Sequence, residues 1–340
     1  MTLAVRLPDR TGSAAAEAPL LAVRDLALHI PIGPHLLRAV DGVSFDLRRG
    51  ETLGLVGESG SGKTLTALML MRLLEPPLSA LPRGQVVLDG ADLMLLDEAR
   101  MSRLRGRTIS MVFQEPMTSL NPVMTVGRQI AEPLMRHLGL SSREAAARAE
   151  EMLRLVHIPD PKRVARAYPH LLSGGMRQRA MIAIALACRP AVLVADEPTT
   201  ALDVTVQAQI LELLGELQRE MGSAILLITH DLAVIAETAH RVAVMYAGRI
   251  VEEAPVASLF AAPRHPYTRG LLASIPKIER VPAATLPEIP GMVPGAADRP
   301  HGCAFMPRCS RAISGCAAEP PPLDPIEPDH RVACWNPVHG

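Results

Sequence analysis

The stretch that decides the fold is Thr52-Leu-Gly-Leu-Val56 followed by Gly57-Glu-Ser-Gly-Ser-Gly-Lys63-Thr64. The first five residues predict a buried strand, and the apolar run from Lys63 to Leu74 predicts a helix. The loop between them fits the pattern G-x-x-x-x-G-K-[ST], whose glycines allow successive backbone N–H groups to form an anion-binding nest. The helix adds its positive N-terminal end. We therefore expect the loop to bind nucleotide phosphates through Gly57, Glu58, Ser59, Gly60, Ser61, Gly62, Lys63 and Thr64.

Within this loop, Lys63 is expected to reach the β- and γ-phosphates and Thr64 to bind Mg²⁺ through its hydroxyl. The chain has only three lysines but thirty-two arginines. The composition of the chain therefore does not explain why this position holds a lysine. A compact ammonium fits a closed loop, whereas a planar guanidinium does not.

Polar side chains follow three further strand-like runs. Asp196 and Glu197 come after Ala191–Ala195, His230 follows the run that ends at Ile228, and Gln114 follows Phe113. Parallel strands that share a sheet bring such ends to one edge. We expect Asp196 to hold Mg²⁺ and Glu197 to orient or deprotonate the attacking water. We expect His230 to contact the γ-phosphate, and Gln114 to sense both the metal and the water.

The hydrophobic pattern predicts an α/β fold. Alternation at Leu21, Val23, Leu26, Leu28 and Ile30 indicates a half-buried antiparallel strand, and Val43, Phe45 and Leu47 indicate a second one. Fully apolar strands that alternate with helices further along indicate a parallel sheet covered on both faces.

The charge and hydrophobic content of the chain argue against some classes of function. The chain has 340 residues with 35 basic and 35 acidic side chains, and this neutral balance argues against a general nucleic-acid binder. The longest strictly apolar run, Ala180 to Cys188, is about half as long as a membrane-spanning helix. The N-terminal sequence does not have the pattern of a secretory signal peptide. We therefore expect a cytoplasmic protein. The 48% hydrophobic content suggests a partner that covers apolar surface.

The motif Leu172-Ser-Gly-Gly-Met-Arg-Gln-Arg179, together with the residues above and Ala201-Leu202-Asp203, resembles the ATP-binding cassette (ABC) ATPases. The resemblance covers about residues 20–260. It implies an ABC cassette with a RecA-like parallel sheet core, an antiparallel β subdomain and a helical subdomain. The expected organisation is a flexible lead (1–18), a nucleotide-binding domain (19–260, helical part about 116–187) and a Pro-rich C-terminal extension (261–340).

The resemblance also implies a dimer of cassettes. ATP would lie between the phosphate loop of one cassette and the signature turn of the other, which offers N–H groups and a hydroxyl at a helix N-terminus. Asp203 would lie at the dimer seam, and Gln114 would begin the loop that couples to the membrane partner. The signature residues expected to act in trans are Ser173, Gly174, Gly175, Met176 and Gln178.

Finer features are similar to the oligopeptide/dipeptide/nickel importers. They are Phe113–Pro122, Tyr168-Pro-His, Asp196–Gln207 and His265-Pro-Tyr-Thr268, and Met176 favours the D-type ATPase. This implies a heterodimer with an F-type ATPase on the cytoplasmic face of the inner membrane, two permeases and an extracytoplasmic substrate-binding protein. Peptides are the expected cargo. Nickel is the alternative cargo, and a soluble ABC ATPase that acts on nucleic acid or ribosomes is the alternative function.

The chain departs from the importer pattern at two places. Leu171 stands where these proteins usually have an acidic residue. The family usually stacks adenine on an aromatic side chain upstream of the phosphate loop, and residues 20–44 contain no Phe, Tyr or Trp. His29 or His35 is the candidate replacement.

Four of the five cysteines, Cys303, Cys309, Cys316 and Cys334, lie in the Pro-rich extension with the spacing C-x5-C-x6-C-x17-C. Loss of periodicity after residue 276 predicts a loop-built segment that needs a staple to fold. Similarity to D-type ATPases implies a [4Fe–4S] cluster on the four thiols. Zinc and unligated thiols are the alternatives. The fifth, Cys188, is predicted to be a small buried hydrophobic residue.

Overall fold

A computed structural model describes residues 18–33, 35–78, 81–115, 119–200, 202–275, 288–295 and 299–338. The predicted lead, residues 1–18, lies outside this range except for Ala18. Ala201, named in the dimer-seam motif, also lies outside it.

The strands follow the predicted apolar runs within a few residues. The strands are β1 Leu21–Ile32, β2 His35–Leu47, β3 Thr52–Val56, β4 Pro82–Leu88, β5 Ala91–Asp92, β6 Ile109–Val112, β7 Val192–Asp196, β8 Ala224–Thr229, β9 Arg241–Tyr246, β10 Arg249–Pro255, β11 Asp324–Glu327 and β12 His330–Val332. The helices are α1 Lys63–Leu70, α2 Glu98–Leu104, α3 Val126–Leu138, α4 Ser142–Leu155, α5 Pro161–Arg166, α6 Gly174–Leu186, α7 Val204–Met221, α8 Leu232–Thr238, α9 Val256–Ala261, α10 Pro266–Ala273 and α11 Gly315–Ala318.

The main sheet has eight strands in the order β11-β12-β10-β9-β3-β8-β7-β6. Its centre is parallel, since β3 pairs with β8 and β9, and β7 pairs with β8 and β6, all in parallel register. Every residue of β3, β6, β7 and β8 is buried, as a sheet covered on both faces requires. The predicted α/β class is confirmed.

A second, four-stranded antiparallel sheet has the order β2-β1-β4-β5. Its inward side chains, such as Leu26 and Phe45, share one hydrophobic core with α1 and one face of the main sheet. The helices α3 to α7 cover the other face and form a second core. Ser141 caps the start of α4 and forms a capping box with Glu144. Within the described residues, no helix is long and apolar enough to cross a membrane.

The C-terminal extension is not purely loop-built, contrary to the prediction from its proline content. Its strand β12 pairs with β10, and β11 pairs with β12, so the extension adds two strands to the main sheet. Phe305 is 4% exposed and belongs to the core formed with α3 to α7. The extension therefore needs little core of its own, because it buries its apolar side chains against the cassette.

A buried carboxylate fastens the extension to the sheet. Glu252 in β10 is fully buried, and its two oxygens accept hydrogen bonds from the backbone N–H groups of Arg264 and His265, at 2.6 and 2.9 Å. His330 Nε2 of β12 lies 2.8 Å from Glu252 Oε1. One side chain thus joins three chain segments, and the hydrogen bonds offset the cost of burying its charge.

We predict that Glu252→Ala destabilises the fold by about 3–5 kcal/mol, because it removes the acceptor of the Arg264 and His265 N–H groups and the polar partner of the buried His330 ring. Denaturant unfolding followed by circular dichroism measures this. Glu327→Ala is the matched control, since Glu327 pairs with the Arg264 side chain at the surface. This control is expected to cost about 0–1 kcal/mol. Equal losses for the two variants would contradict the role of Glu252.

Candidate active site

The parallel sheet brings the sequence motifs together at one edge. The strands β3, β6, β7 and β8 point the same way. Gly57, Glu197 and His230 come directly after β3, β7 and β8, respectively. Gln114 comes after β6 with one residue, Phe113, between them. Residues far apart in the chain therefore meet where the strands end, as expected from the sequence.

Backbone geometry explains why the phosphate loop needs glycine at two positions. Gly57 has φ 156°, and a Cβ there would lie 2.1 Å from the carbonyl oxygen of Met245. Gly62 has φ 101°, and a Cβ there would lie 2.7 Å from the carbonyl oxygen of Ala39. Any side chain at these positions would push the loop away from the sheet.

Lys63 is buried and held inside its own loop. Its Nζ donates to the carbonyl oxygens of Gly57 at 2.8 Å and of Glu58 at 3.1 Å. Burial lowers the pKa of Lys63, against the opposing effect of the charges on Glu197, Asp196 and Glu58. The ammonium is thus poorly solvated, which favours its pairing with an entering phosphate.

Thr64 and Asp196 lie side by side, as a shared metal ligand pair requires. Thr64 Oγ1 donates to Asp196 Oδ1 at 3.3 Å. Burial raises the pKa of Asp196, while the hydrogen bond from Thr64 opposes this shift. A cation bound between the two oxygens would stabilise the buried carboxylate.

The carboxylate of Glu197 is the centre of the polar network. Oε2 accepts hydrogen bonds from Gln114 Nε2 at 3.0 Å and from Thr200 Oγ1 at 2.7 Å, and His230 Nδ1 lies 3.1 Å from Oε1. Burial raises the pKa of Glu197, but hydrogen bonds from Thr200 and His230 and the charge of Lys63 lower it more, so the net shift is downward. Glu197 is therefore an ionised acceptor at neutral pH.

The backbone at Glu197 is strained. Its φ is 45°, in the left-handed region that non-glycine residues seldom adopt, at a cost of about 1–3 kcal/mol. Its N–H donates to the carbonyl oxygen of Ile228 in β8 at 2.9 Å, which holds this conformation. Strain at this position supports a functional role, because the turn places the side chain at the edge of the sheet.

A cavity of about 340 Å³ runs along the phosphate loop. Its lining includes Gln114 and Glu197 from the strand ends and Leu37 and Ala39 of β2. The cavity therefore lies between the polar side chains at the edge of the main sheet and strand β2 of the antiparallel sheet.

Neither histidine proposed to stack on adenine lines this cavity. His29 Nε2 lies 2.7 Å from Asp41 Oδ1, and His35 is exposed at the start of β2. The lining contains instead Pro294 and Arg299 from the extension.

The signature turn lies apart from the cavity lining within one chain. Ser173 is exposed and caps α6, accepting a hydrogen bond from the N–H of Met176 at 3.4 Å, with Gly174 as the first helical residue. Gly175 packs so closely on α7 that a Cβ would lie 3.0 Å from Val206 Cγ1. Gln178 is buried and donates to the carbonyl oxygen of Pro198, just after the acidic strand end.

Asp203 caps α7. Its Oδ1 accepts a hydrogen bond from the N–H of Val206 at 3.0 Å, and the residue is exposed. The structure therefore gives this residue a local role in addition to the predicted one at a dimer seam.

The [4Fe–4S] prediction for Cys303, Cys309, Cys316 and Cys334 is wrong. Among the described residues, no group of three or more His, Cys, Asp or Glu side chains is arranged to hold a metal ion. Burial raises the pKa of Cys303 and Cys309, and raises that of Cys334 to about 11. Without a metal, these three thiols are therefore protonated at neutral pH. Cys188 is buried, as predicted.

Sequence reasoning missed three contacts of the site. The first is the hydrogen bond from Thr200 to Glu197. The other two are the hydrogen bonds of Tyr267 and Arg308 with Glu58. Tyr267 and Arg308 lie more than 200 residues from the phosphate loop. A contact between segments so far apart in the chain leaves no local signal in the sequence.

Comparison with known protein families gives two matches. Residues 40–200 match the family described as ABC transporter. Residues 251–316 match the family described as oligopeptide/dipeptide transporter, C-terminal region.

Three curated relatives align over most of the chain. A probable peptide ABC transporter ATP-binding protein of Sinorhizobium fredii is 54% identical, over 93% of this chain and 95% of that protein. The oligopeptide transport ATP-binding protein OppD of Bacillus subtilis is 49% identical, over 93% and 88%. The dipeptide transport ATP-binding protein DppD of Escherichia coli is 47% identical, over 94% and 97%.

Two solved structures share the fold. The dimeric ATP-binding cassette MJ0796, in a post-hydrolysis state with ADP and phosphate, is 29% identical with a TM-score of 0.62, over 69% of this chain and 98% of that one. The second structure, cbiO1 of Clostridium perfringens, is part of the ABC transporter complex cbiONQ. It is 26% identical with a TM-score of 0.60, over 72% and 92%.

We predict that Lys63→Ala weakens binding of a nucleoside triphosphate by about a hundredfold, because it removes the buried cation of the phosphate loop. Titration with a fluorescent ATP analogue measures this. Lys162→Ala is the matched control, since Lys162 is an exposed lysine on α5. Binding unchanged in Lys63→Ala would place the triphosphate elsewhere.

Proposed function

Since the chain belongs to the ABC transporter ATP-binding proteins and is an ATPase of that class, we propose that it powers peptide import as one cassette of a heteromeric complex. The observation that carries the proposal is the convergence of Gln114, Thr200 and His230 on the Glu197 carboxylate, beside a loop that holds Lys63. This arrangement suits the attack of water on a terminal phosphate.

In the proposed reaction, the loop from Gly57 to Thr64 holds the phosphates and Lys63 leaves its carbonyl acceptors to pair with the β- and γ-phosphates. Glu197 accepts a proton from, or orients, the attacking water. His230 and Gln114 hold the Glu197 side chain and are placed to contact the γ-phosphate as it departs. Catalysis of this kind comes from positioning and from stabilising charge.

Mg²⁺ fits the oxygen atoms of Thr64 and Asp196, which lie 3.3 Å apart, with Gln114 as a third oxygen donor. Mg²⁺ commonly binds proteins through one or two such oxygens and keeps several waters. When bound, the ion would neutralise charge on the β- and γ-phosphates. The raised pKa of Asp196 supports this assignment, because a bound cation would offset the cost of its burial.

A second cassette completes the proposed site. Ser173, Gly174 and Gly175 are not part of the cavity lining, yet the turn presents N–H groups and a hydroxyl to solvent. They are free to contact ATP held by a partner, with Met176 and Gln178 supporting the turn and Asp203 at the seam. The solved relative MJ0796 is a dimer with ADP and phosphate, which supports this geometry.

The relatives also support the choice of cargo. Their names refer to peptide, oligopeptide and dipeptide transport, which favours peptides over nickel as the cargo. We infer an F-type ATPase as the second cassette, two permeases, and a substrate-binding protein, with this chain on the cytoplasmic face of the inner membrane. The neutral overall charge speaks against the alternative of a nucleic-acid or ribosome ATPase.

We predict that Glu197→Gln retains ATP binding and loses nearly all hydrolysis, because the amide cannot accept a proton from water. Phosphate release and binding of a fluorescent ATP analogue measure the two effects. Glu212→Gln on α7, remote from the site, is the control and keeps wild-type turnover. Wild-type turnover in Glu197→Gln would reject its role.

We predict that Ser173→Arg leaves binding of ATP to the isolated chain within about twofold and abolishes ATP-dependent association with the partner cassette. A bulky cation at the exposed turn would obstruct the second cassette but not the phosphate loop of its own chain. Size-exclusion chromatography with light scattering measures association. Loss of ATP binding by the isolated chain would show that the turn acts in cis.

Cargo and partners are tested in cells. Affinity purification from solubilised membranes should yield this chain with two permeases and a second ATPase, and deletion of its gene should abolish uptake of radiolabelled di- or oligopeptide. Loss of radioactive nickel uptake with normal peptide uptake would favour the nickel importer. Recovery of RNA or ribosomal proteins, without permeases, would favour the soluble ATPase.

A further inference from the structure

The extension reaches back to the phosphate loop through one residue, Glu58. The backbone N–H of Glu58 donates to the hydroxyl oxygen of Tyr267 at 2.9 Å. The Glu58 carboxylate accepts two hydrogen bonds from Arg308 Nη1, at 2.9 and 3.2 Å. Both ends of one loop residue are thus held by side chains from beyond residue 260.

Tyr267 and Arg308 are themselves rigidly held. Tyr267 is fully buried, and its ring lies 4.6 Å from that of Tyr246 and 5.4 Å from that of Phe305, between centroids. Arg308 is 6% exposed, and its guanidinium carbon lies 5.9 Å from the Tyr246 ring centroid. Three of the eight aromatic residues of the chain therefore form one cluster behind the phosphate loop.

Arg308 has its remaining donors occupied within the extension. Nε donates to the carbonyl oxygen of Pro290 at 3.0 Å, and Nη2 to that of Ile289 at 3.1 Å. The side chain joins three segments, the phosphate loop, residues 289–290 and the turn at Arg308 itself. Its contact with Glu58 is thus part of the docking of the extension.

The charge of Glu58 gives this contact a functional consequence. Glu58 acts electrostatically on Lys63, the cation of the phosphate loop. A carboxylate without a partner would compete for Lys63 and repel the triphosphate, and in a partly buried site this repulsion is strong. Arg308 neutralises the carboxylate, and Tyr267 fixes the backbone from which the loop starts.

We propose that Tyr267 and Arg308 are positioning residues for ATP binding, through which the C-terminal extension sets the affinity of the phosphate loop. The proposal rests on the ATP site assigned above. It assigns the extension a role in nucleotide binding, in addition to its structural contacts with the sheet.

The test compares KM for ATP and kcat in full-length variants. Arg308→Ala should raise KM about tenfold with kcat within about twofold, because the unpaired Glu58 acts on ATP binding. Arg308→Lys should lie between this variant and wild type, since it restores the charge but not the hydrogen bonds of Nε and Nη2 to residues 289–290. Tyr267→Phe should raise KM about fivefold, because the Glu58 N–H loses its acceptor.

A double variant distinguishes an effect of the Glu58 charge on ATP binding from a general loss of structure. In Arg308→Ala with Glu58→Gln, KM should return to within about twofold of wild type, since no carboxylate is left to repel ATP. Glu58→Gln alone should lower KM, because Arg308 then adds a positive charge. Arg311→Ala is the matched control, as this arginine donates to Asn336 within the extension at 3.2 Å, and it should leave KM unchanged.

Three results would overturn the proposal. They are an unchanged KM in Arg308→Ala, failure of Glu58→Gln to restore KM, and an equal rise of KM in Arg311→Ala. The last two would show that Arg308 acts only by stabilising the extension. Failure of wild type to bind a fluorescent ATP analogue would instead reject the ATP site itself.

Discussion

The parallel pairing of β6, β7, β8 and β3 is the constraint on which the rest of the structure depends. Parallel strands end at the same edge, so Gly57, Gln114, Glu197 and His230 meet although they span over 170 residues of chain. Parallel pairing also requires crossover helices, which bury both faces of the sheet. The hydrophobic effect thus fixes the sheet, and the sheet fixes the distances between the polar groups.

The polar groups at this edge form a balanced electrostatic system around Lys63. Burial disfavours the charged forms of both Lys63 and Asp196, and their mutual attraction only partly offsets that cost. Glu197 is kept ionised by hydrogen bonds from Thr200 and His230. The backbone strain at Glu197 helps to place this carboxylate. The hydrogen bond to β8 holds a conformation that the isolated residue would avoid.

The extension shows how a weakly patterned segment is anchored by contacts with the cassette. Its strand β12 pairs with β10, and Phe305 and the buried Glu252 supply an apolar and a polar anchor. The free energy comes from surface buried against the cassette, so the segment needs no independent core. Its second effect is on the phosphate loop, where Tyr267 and Arg308 meet Glu58.

The sequence by itself determined the α/β class, the order of the strands along the chain, the phosphate loop and the strand-end residues, because hydrophobic period and glycine spacing are local properties. Only the tertiary structure decided the convergence of Gln114, Thr200 and His230 on Glu197, the place of His29 beside Asp41, and the contact of the extension with Glu58. Similarity to D-type ATPases implied a cluster on the four thiols, yet the folded arrangement of the side chains forms no such site among the described residues. These features depend on packing between distant segments, and no local pattern encodes which surfaces will meet.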